Sequence, residues 1–151
     1  MKKLLFNILA GLLLFQLAYA QNPPKREMRA NWLATVWRLD WPSVTVPADG
    51  TESQRLAAVN QQKADLIKIL DRMKTANMNT VFFQIRSMSD AMYPSSFENW
   101  SSFISSERGA DPGWDPLAFA VEESHKRGME LHAWLNPYRY SSSDATHGNL
   151  A

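Results

Sequence analysis

Three short apolar segments alternate with two helical patterns along the chain, and this alternation most restricts the possible folds. Residues 29–37, 80–86 and 129–135 are rich in aliphatic and aromatic residues and contain neither glycine nor proline. Such segments are typical of buried strands. The intervening segments place apolar residues every three or four positions, which predicts helices. The order strand–helix–strand–helix–strand predicts an α/β fold with a parallel sheet and right-handed crossovers.

Both predicted helices carry end signals. Thr51 and Gln54 have the spacing of a capping box, with Asn60 as a second possible start, and Asn77 suits a left-handed residue after the last turn. Asp115 is predicted to cap the second helix, which ends near Gly128. The apolar stripe of the first helix consists of Val59, Leu66, Ile67, Leu70 and Met73.

The first twenty residues predict an export signal. Lys2 and Lys3 precede an apolar stretch, and Ala18-Tyr19-Ala20 has the small-x-small pattern of a cleavage site. The alternative is an uncleaved single anchor, although the stretch is shorter than the roughly 20 apolar residues of a spanning helix. We therefore expect a signal peptide at 1–20, a linker at 21–27 and the folded part at 28–151. The protein is expected to be exported, periplasmic or extracellular, with no membrane anchor after cleavage.

Composition excludes several classes of function. The formal net charge is +1, which leaves no basic excess for a nucleic acid partner. The chain has no cysteine, so disulfide scaffolds, thiolate zinc sites and cysteine nucleophiles are excluded. Its six glycines are scattered and form no phosphate-binding loop, and no other histidine or carboxylate has metal-ligand spacing to His125. The sequence therefore predicts no cofactor and no metal site.

Polar and aromatic side chains follow each predicted strand. Parallel α/β folds hold their chemistry at this edge of the sheet. Aromatic rings beside amide, carboxylate and guanidinium groups suit a neutral polyhydroxylated ligand such as a sugar. The strand-end residues are Trp37, Arg38, Asp40 and Trp41; Gln84, Arg86, Asp90 and Tyr93; and Trp134, Asn136, Tyr138 and Arg139.

Structural roles are the alternatives for several of these residues. Arg86 could pair with Asp90 instead of contacting a ligand. A wall position is the alternative to catalysis for His132. Three tryptophans are candidates for the core as well as for ligand contact, namely Trp37, Trp41 and Trp134.

Long ordered motifs in the chain resemble one known family. Residues 26–36 with 39–43 resemble the opening of the glycosyl hydrolase-like 10 family. Residues 83–86 with 90–94 are similar to its second-strand motif, and residues 113–119 with 132–139 are similar to its third unit. The resemblance extends over nearly all of residues 26–140.

The resemblance implies a fold and a ligand. The family implies an exported TIM (β/α)8 barrel acting on glycans, and at least one relative is associated with cleaving peptidoglycan strands that have lost their stem peptides. The chain would then be the N-terminal three β/α units of such a barrel, truncated after the third strand. The substrate cleft would be lined by Arg86, Asp90, Tyr93, Trp134, Asn136, Tyr138 and Arg139.

The catalytic groups are not assigned by the resemblance. Glycoside hydrolysis needs two carboxyl groups across the scissile bond, and Asp90 and Asp40 are only weak candidates, so we expect the pair beyond residue 151. The chain is thus interpreted as an N-terminal fragment of a glycoside hydrolase-like protein. The alternatives are a non-catalytic carbohydrate-binding barrel and an inactive remnant. We expect the 151 residues alone to be inactive and of low stability, because the third strand would leave an unpaired edge.

Overall fold

A computed structural model describes residues 27–141 as helices and strands joined by ordered loops. The predicted signal peptide, most of the predicted linker and residues 142–151 lie outside the described residues. The strands are β1 Ala30–Leu33, β2 Thr80–Arg86, β3 Asp90–Ala91, β4 Asn99–Trp100 and β5 Glu130–Leu135. The α-helices are α1 Glu52–Thr75 and α2 Pro116–Lys126, and a 3-10 turn covers Val36–Arg38.

The main sheet is parallel, as the alternation predicts. Its order is β1-β2-β5, with β2 in the centre and hydrogen-bonded to a parallel strand on each side. Phe82 of β2 is in register with Trp32 of β1 and His132 of β5. The short strands β3 and β4 form a separate parallel pair within the long connection after β2. The predicted α/β fold with a parallel sheet is therefore confirmed.

The first strand is shorter than predicted. Instead of continuing to residue 37, the strand ends at Leu33 and the chain turns. The backbone N–H groups of Thr35 and Val36 both donate to Oε1 of Gln84, at 3.0 and 2.9 Å. Trp37 and Arg38 then adopt positive φ angles of 55° and 54°. A contact 49 residues away along the chain thus ends the strand and overrides its local β propensity.

The two faces of the sheet differ in their covering. On one face, alternate residues of β2 pack against α1 and α2 in the main core. On the other face, Trp32 stacks on Phe82 with ring centroids 4.7 Å apart, and Trp134 meets Trp32 edge-on at 4.9 Å. Trp32 remains 57% exposed. The second face is thus an aromatic surface that the described residues leave largely uncovered.

The first helix begins at the predicted capping box. Thr51 accepts from the backbone N–H of Gln54, whose side chain accepts from the backbone N–H of Thr51. Asn60, the second possible start, lies inside the helix. Asn77 has a φ of 59°, which is the predicted left-handed stop. Four of the five predicted stripe residues are buried, and Ile67 is only half-buried.

A fully buried glutamine joins α1 to the two long loops. The Gln62 side chain donates to the carbonyl oxygens of Val44 and Ile104, at 2.8 and 2.9 Å, and accepts from the Trp114 indole at 3.1 Å. Its backbone carbonyl accepts from the buried Trp41 indole at 2.9 Å. Each polar atom of this side chain therefore has a partner, which offsets the desolvation cost of burying it.

Replacement of Gln62 tests this junction. Gln62→Leu removes a hydrogen-bond partner from the carbonyls of Val44 and Ile104 and from the Trp114 indole, so we expect the free energy of unfolding to fall by about 2–4 kcal/mol. Urea unfolding followed by circular dichroism measures the change. The matched control is Gln61→Leu, an exposed neighbour for which we expect a change within about 0.5 kcal/mol. Equal effects of the two substitutions would contradict the assigned role.

An ionic cluster joins the C-terminal ends of the two helices. Arg127 contacts Asp71 of α1 at 2.7 Å and the Glu123 carboxylate of α2 at 2.7 Å. Glu123 is mostly buried and also contacts Lys126 at 2.7 Å. Hydrogen bonds from Lys126 and Arg127 hold the pKa of Glu123 below its ordinary value of 4.5.

The lowered pKa of Glu123 predicts an acid-dependent loss of stability. A carboxyl group with a depressed pKa in the folded state stabilises the protein above its unfolded pKa, and this contribution is lost as the pH falls through the folded value. We therefore expect Glu123→Gln to reduce the free energy of unfolding at pH 7, with the difference from wild type shrinking below about pH 4.5. Denaturant unfolding across pH measures this. The exposed Glu122→Gln is the control, and a pH-independent difference would contradict the prediction.

Candidate functional site

Arg86 is the centre of the hydrogen-bond network at the carboxyl ends of the strands. It is the last residue of β2, after an irregularity between Gln84 and Arg86 in the pairing of β2 with β5. Its Nε donates to both carboxylate oxygens of Glu98, at 2.7 and 2.9 Å. Its Nη2 lies 2.6 Å from Oε1 of Glu98. The remaining contacts are to Ser89 Oγ and the carbonyl oxygen of Asn136.

This ion pair is mostly shielded from solvent. The side chains of Arg86 and Glu98 are 15% and 22% exposed. The hydrogen bond to Glu98 raises the pKa of Arg86, and the nearby charges of Glu98 and Asp90 add to this. Arg86 therefore stays protonated and makes a charge-assisted fork with its partner. The carboxylate paired with Arg86 is that of Glu98, whereas the sequence offered Asp90 as the structural partner.

Asn136 links the end of β5 to the end of β2. Its backbone N–H donates to the carbonyl oxygen of Arg86 at 3.0 Å, and its side-chain amide donates to the carbonyl oxygen of Ser87 at 3.2 Å. Its Oδ1 accepts from the Trp134 indole at 2.9 Å. The orientation of the Trp134 ring is thus set by Asn136, which is itself held by Arg86.

The Asp90 carboxylate stabilises the turn after β2. Asp90 is only 4% exposed. Its Oδ1 accepts from the backbone N–H groups of Ser87 and Met88, at 2.9 and 2.7 Å, and from the Ser87 hydroxyl at 3.1 Å. These donors occupy the carboxylate and fix the turn.

Asp40 closes the loop after β1. Its Oδ2 accepts from the backbone N–H of Ala34 at 2.7 Å, and its own N–H donates to the carbonyl oxygen of Ala34 at 3.1 Å. Beside this loop, Thr35 donates through its hydroxyl to the carbonyl oxygen of Gln84 at 2.8 Å. Nε2 of Gln84 is buried with no hydrogen-bond partner among the described residues.

The other predicted site residues separate into two groups. Tyr93 is partly buried against the core and lies near enough to Arg86 to be the smallest of the causes that raise the pKa of that guanidinium. Tyr138 and Arg139 follow β5 and are exposed, Tyr138 at 98%. Arg86, Asp90, Tyr93, Trp134 and Asn136 are therefore brought to one edge, and the two residues after β5 extend from it.

The remaining tryptophan and histidine side chains lie in different environments. Trp41 is completely buried and belongs to the core, whereas Trp37 is 58% exposed against Phe103. His132 lies on the aromatic face beside Phe82 and is 3.4 Å from Glu130. His125 is exposed on α2.

The sequence interpretation did not include Glu98 among the candidate residues. Its partner is 12 positions earlier, and only the path of the intervening loop brings the two together. The available signal was the unusual length of the connection at 87–113, which is typical of functional loops. Glu98 is a carboxylate within that connection.

Residues 27–141 contain no group of three or more histidines, cysteines and carboxylates placed to hold a metal ion. No helix in this range is both long and apolar enough to cross a bilayer.

The sequence matches one protein family and several known proteins. Residues 27–147 match the protein-family model described as Glycosyl hydrolase-like 10. Glycosyl hydrolase YngK of Bacillus subtilis (strain 168) is 40% identical over 138 residues, which cover 91% of this chain and 25% of that protein. Glycosyl hydrolase DigH of Escherichia coli (strain K12) is 46% identical over 114 residues, which cover 76% of this chain and 25% of that protein. DigH of Shigella flexneri gives the same figures. The chain spans about a quarter of the length of these relatives.

Substitution of Asp90 distinguishes a structural role from catalysis. Asp90→Asn keeps an acceptor for the two backbone donors but loses the charge, so we expect the free energy of unfolding to fall by about 1 kcal/mol. Any catalytic rate per folded molecule should fall by less than about tenfold. Unfolding in urea measures the free energy of unfolding, and kinetic assays of the same preparation measure the catalytic rate. Asp49→Asn is the exposed control, and unchanged stability with abolished catalysis would identify Asp90 as a catalytic group.

Proposed function

The chain belongs to the glycosyl hydrolase-like 10 family, and we propose that it is the N-terminal part of an exported enzyme hydrolysing O-glycosidic bonds of a bacterial glycan. Peptidoglycan strands without stem peptides are the proposed substrate. In this proposal the parallel sheet is the first part of a (β/α)8 barrel, and further strands pair with the free edges of β1 and β5.

One observation in the structure carries the glycan part of the proposal. Trp134, a half-buried indole at the carboxyl end of the parallel sheet, donates to Asn136, whose backbone carbonyl accepts from Arg86. A flat apolar ring stacks on the C–H face of a sugar, and neighbouring polar groups contact its hydroxyls. The contacts that fix the ring before a ligand arrives reduce the ordering cost of binding.

The proposed chemistry is general acid–base catalysis by two carboxyl groups. Asp40, Asp90 and Glu98 are the carboxylates found at the described strand ends, and each accepts hydrogen bonds from the protein. We therefore assign the catalytic pair to strand ends outside residues 27–141. The described part of the chain builds and orients the substrate cleft.

The proposed location follows from residues 1–20. Their charge and hydrophobic pattern is that of a cleavable export signal. Export would bring the protein to the periplasm or the exterior, where cell-wall glycans are accessible.

Hydrolysis of defined glycans tests the proposal. The protein expressed from its full reading frame is incubated with glycan strands from which the stem peptides have been removed, and the products are identified by mass spectrometry. We expect shorter oligosaccharides, and about tenfold weaker substrate binding with Trp134→Ala because the stacking surface is lost. Trp100→Ala, on β4, serves as the matched tryptophan control.

Two other results would lead to different conclusions. Saturable glycan binding that is weakened by Trp134→Ala or Tyr138→Ala, without any product, would identify a non-catalytic carbohydrate-binding protein. Neither binding nor cleavage of stripped strands or of intact peptidoglycan would contradict the proposed function.

A further inference from the structure

We propose that Glu98 is a positioning residue that sets the orientation of the Trp134 ring through Arg86 and Asn136. The effect on glycans rests on the proposed function, whereas the effect on the ring does not. Glu98 itself makes no hydrogen bond to Trp134. Its influence would pass through two residues that connect three separate segments of the chain.

The first step is the fixing of Arg86 by Glu98. Both carboxylate oxygens of Glu98 accept from the guanidinium group, and the Ser95 hydroxyl accepts from the backbone N–H of Glu98 at 3.2 Å. The backbone of Glu98 is therefore held by its own loop while its carboxylate holds Arg86. A fork of this kind fixes the plane of the guanidinium as well as its position.

The second step is the fixing of Asn136 by Arg86. The two residues are joined in both directions, because the guanidinium donates to the carbonyl oxygen of Asn136 and the N–H of Asn136 donates to the carbonyl oxygen of Arg86. If the guanidinium plane rotates, the first of these bonds is lost. The end of β5 would then be held to β2 by fewer contacts.

The third step is the fixing of the indole by Asn136. The side-chain oxygen of Asn136 accepts from Nε1 of Trp134, while its amide nitrogen is directed to the carbonyl oxygen of Ser87. The edge-on contact with Trp32 limits the ring from the other side. A small displacement of Asn136 is therefore transmitted to the ring, because the amide bridges two fixed groups.

Glu98→Gln is the informative substitution. Glutamine has the size of glutamate, but its amide nitrogen would face a guanidinium donor, so the fork loses one acceptor and its charge. Glu107→Gln, an exposed residue of the same connection, is the matched control. Arg86→Lys keeps the charge but not the fork and is expected to reproduce the effect of Glu98→Gln.

The direct measurement is hydrogen exchange at the Trp134 indole in the protein expressed from its full reading frame. The protein is labelled with 15N-tryptophan, and the resonance is assigned by its loss in Trp134→Phe. We expect exchange at this site to accelerate about tenfold in Glu98→Gln and to be unchanged in Glu107→Gln. Unchanged exchange in both Glu98→Gln and Arg86→Lys would overturn the proposal. If Glu98→Gln does not fold, Arg86→Lys decides the outcome in the same way.

The kinetic measurement separates positioning from catalysis. With stripped glycan strands, we expect Glu98→Gln to raise KM about tenfold while kcat changes less than about twofold and the pH profile of kcat keeps its shape. A large fall in kcat with loss of one limb of that profile would make Glu98 a catalytic residue and overturn the proposal. If the wild-type protein cleaves no glycan, the proposed function fails, and the indole exchange alone decides whether Glu98 orients Trp134.

Discussion

The guanidinium group of Arg86 is the contact on which the geometry of the strand ends depends. It joins the end of β2 to Glu98 in the long connection and to Asn136 after β5. These segments are not adjacent in sequence, and the ladder of β2 and β5, which ends at Arg86 and Leu135, does not include the loop that carries Glu98. A lysine could not replace this residue, because a single ammonium group cannot make the two-pronged contact with Glu98 and reach Asn136 at the same time.

Each carboxylate near this edge accepts hydrogen bonds that maintain the local structure. Asp40 closes the loop after β1, Asp90 fixes the turn after β2, and Glu98 holds Arg86. Glycoside hydrolysis needs two carboxyl groups that can exchange protons with the substrate or attack it. This contrast supports a division of roles in the proposed enzyme, in which the described segment shapes the cleft and other strands supply the acid and its partner.

Local sequence predicted the elements whose boundaries depend on nearby residues. The near-continuous apolar run at 80–86 forms β2 over its full predicted length, and the capping box at Thr51 starts α1. Asn77 stops that helix in the left-handed conformation. In each case the determining chemistry lies within a few residues of the boundary, so the pattern alone is sufficient.

Features that depend on distant contacts were not predictable in this way. The strand β1 ends early because Gln84, on another strand, accepts from two backbone groups after Leu33. Glu98 becomes the partner of Arg86 only through the path of a long loop, and Gln62 occupies an apolar stripe because three distant groups satisfy its amide. Residue type placed Trp134 and Asn136 at the correct edge, but not the hydrogen bond between them.

The most direct test of this account is a crystal structure of the protein expressed from its full reading frame with a stripped glycan oligosaccharide bound. The account predicts a sugar ring stacked on Trp134, with Arg86 still paired to Glu98 and the catalytic carboxyl groups supplied by other strands. A sugar bound away from Trp134, or an Arg86 side chain that leaves Glu98 to contact the ligand, would contradict it.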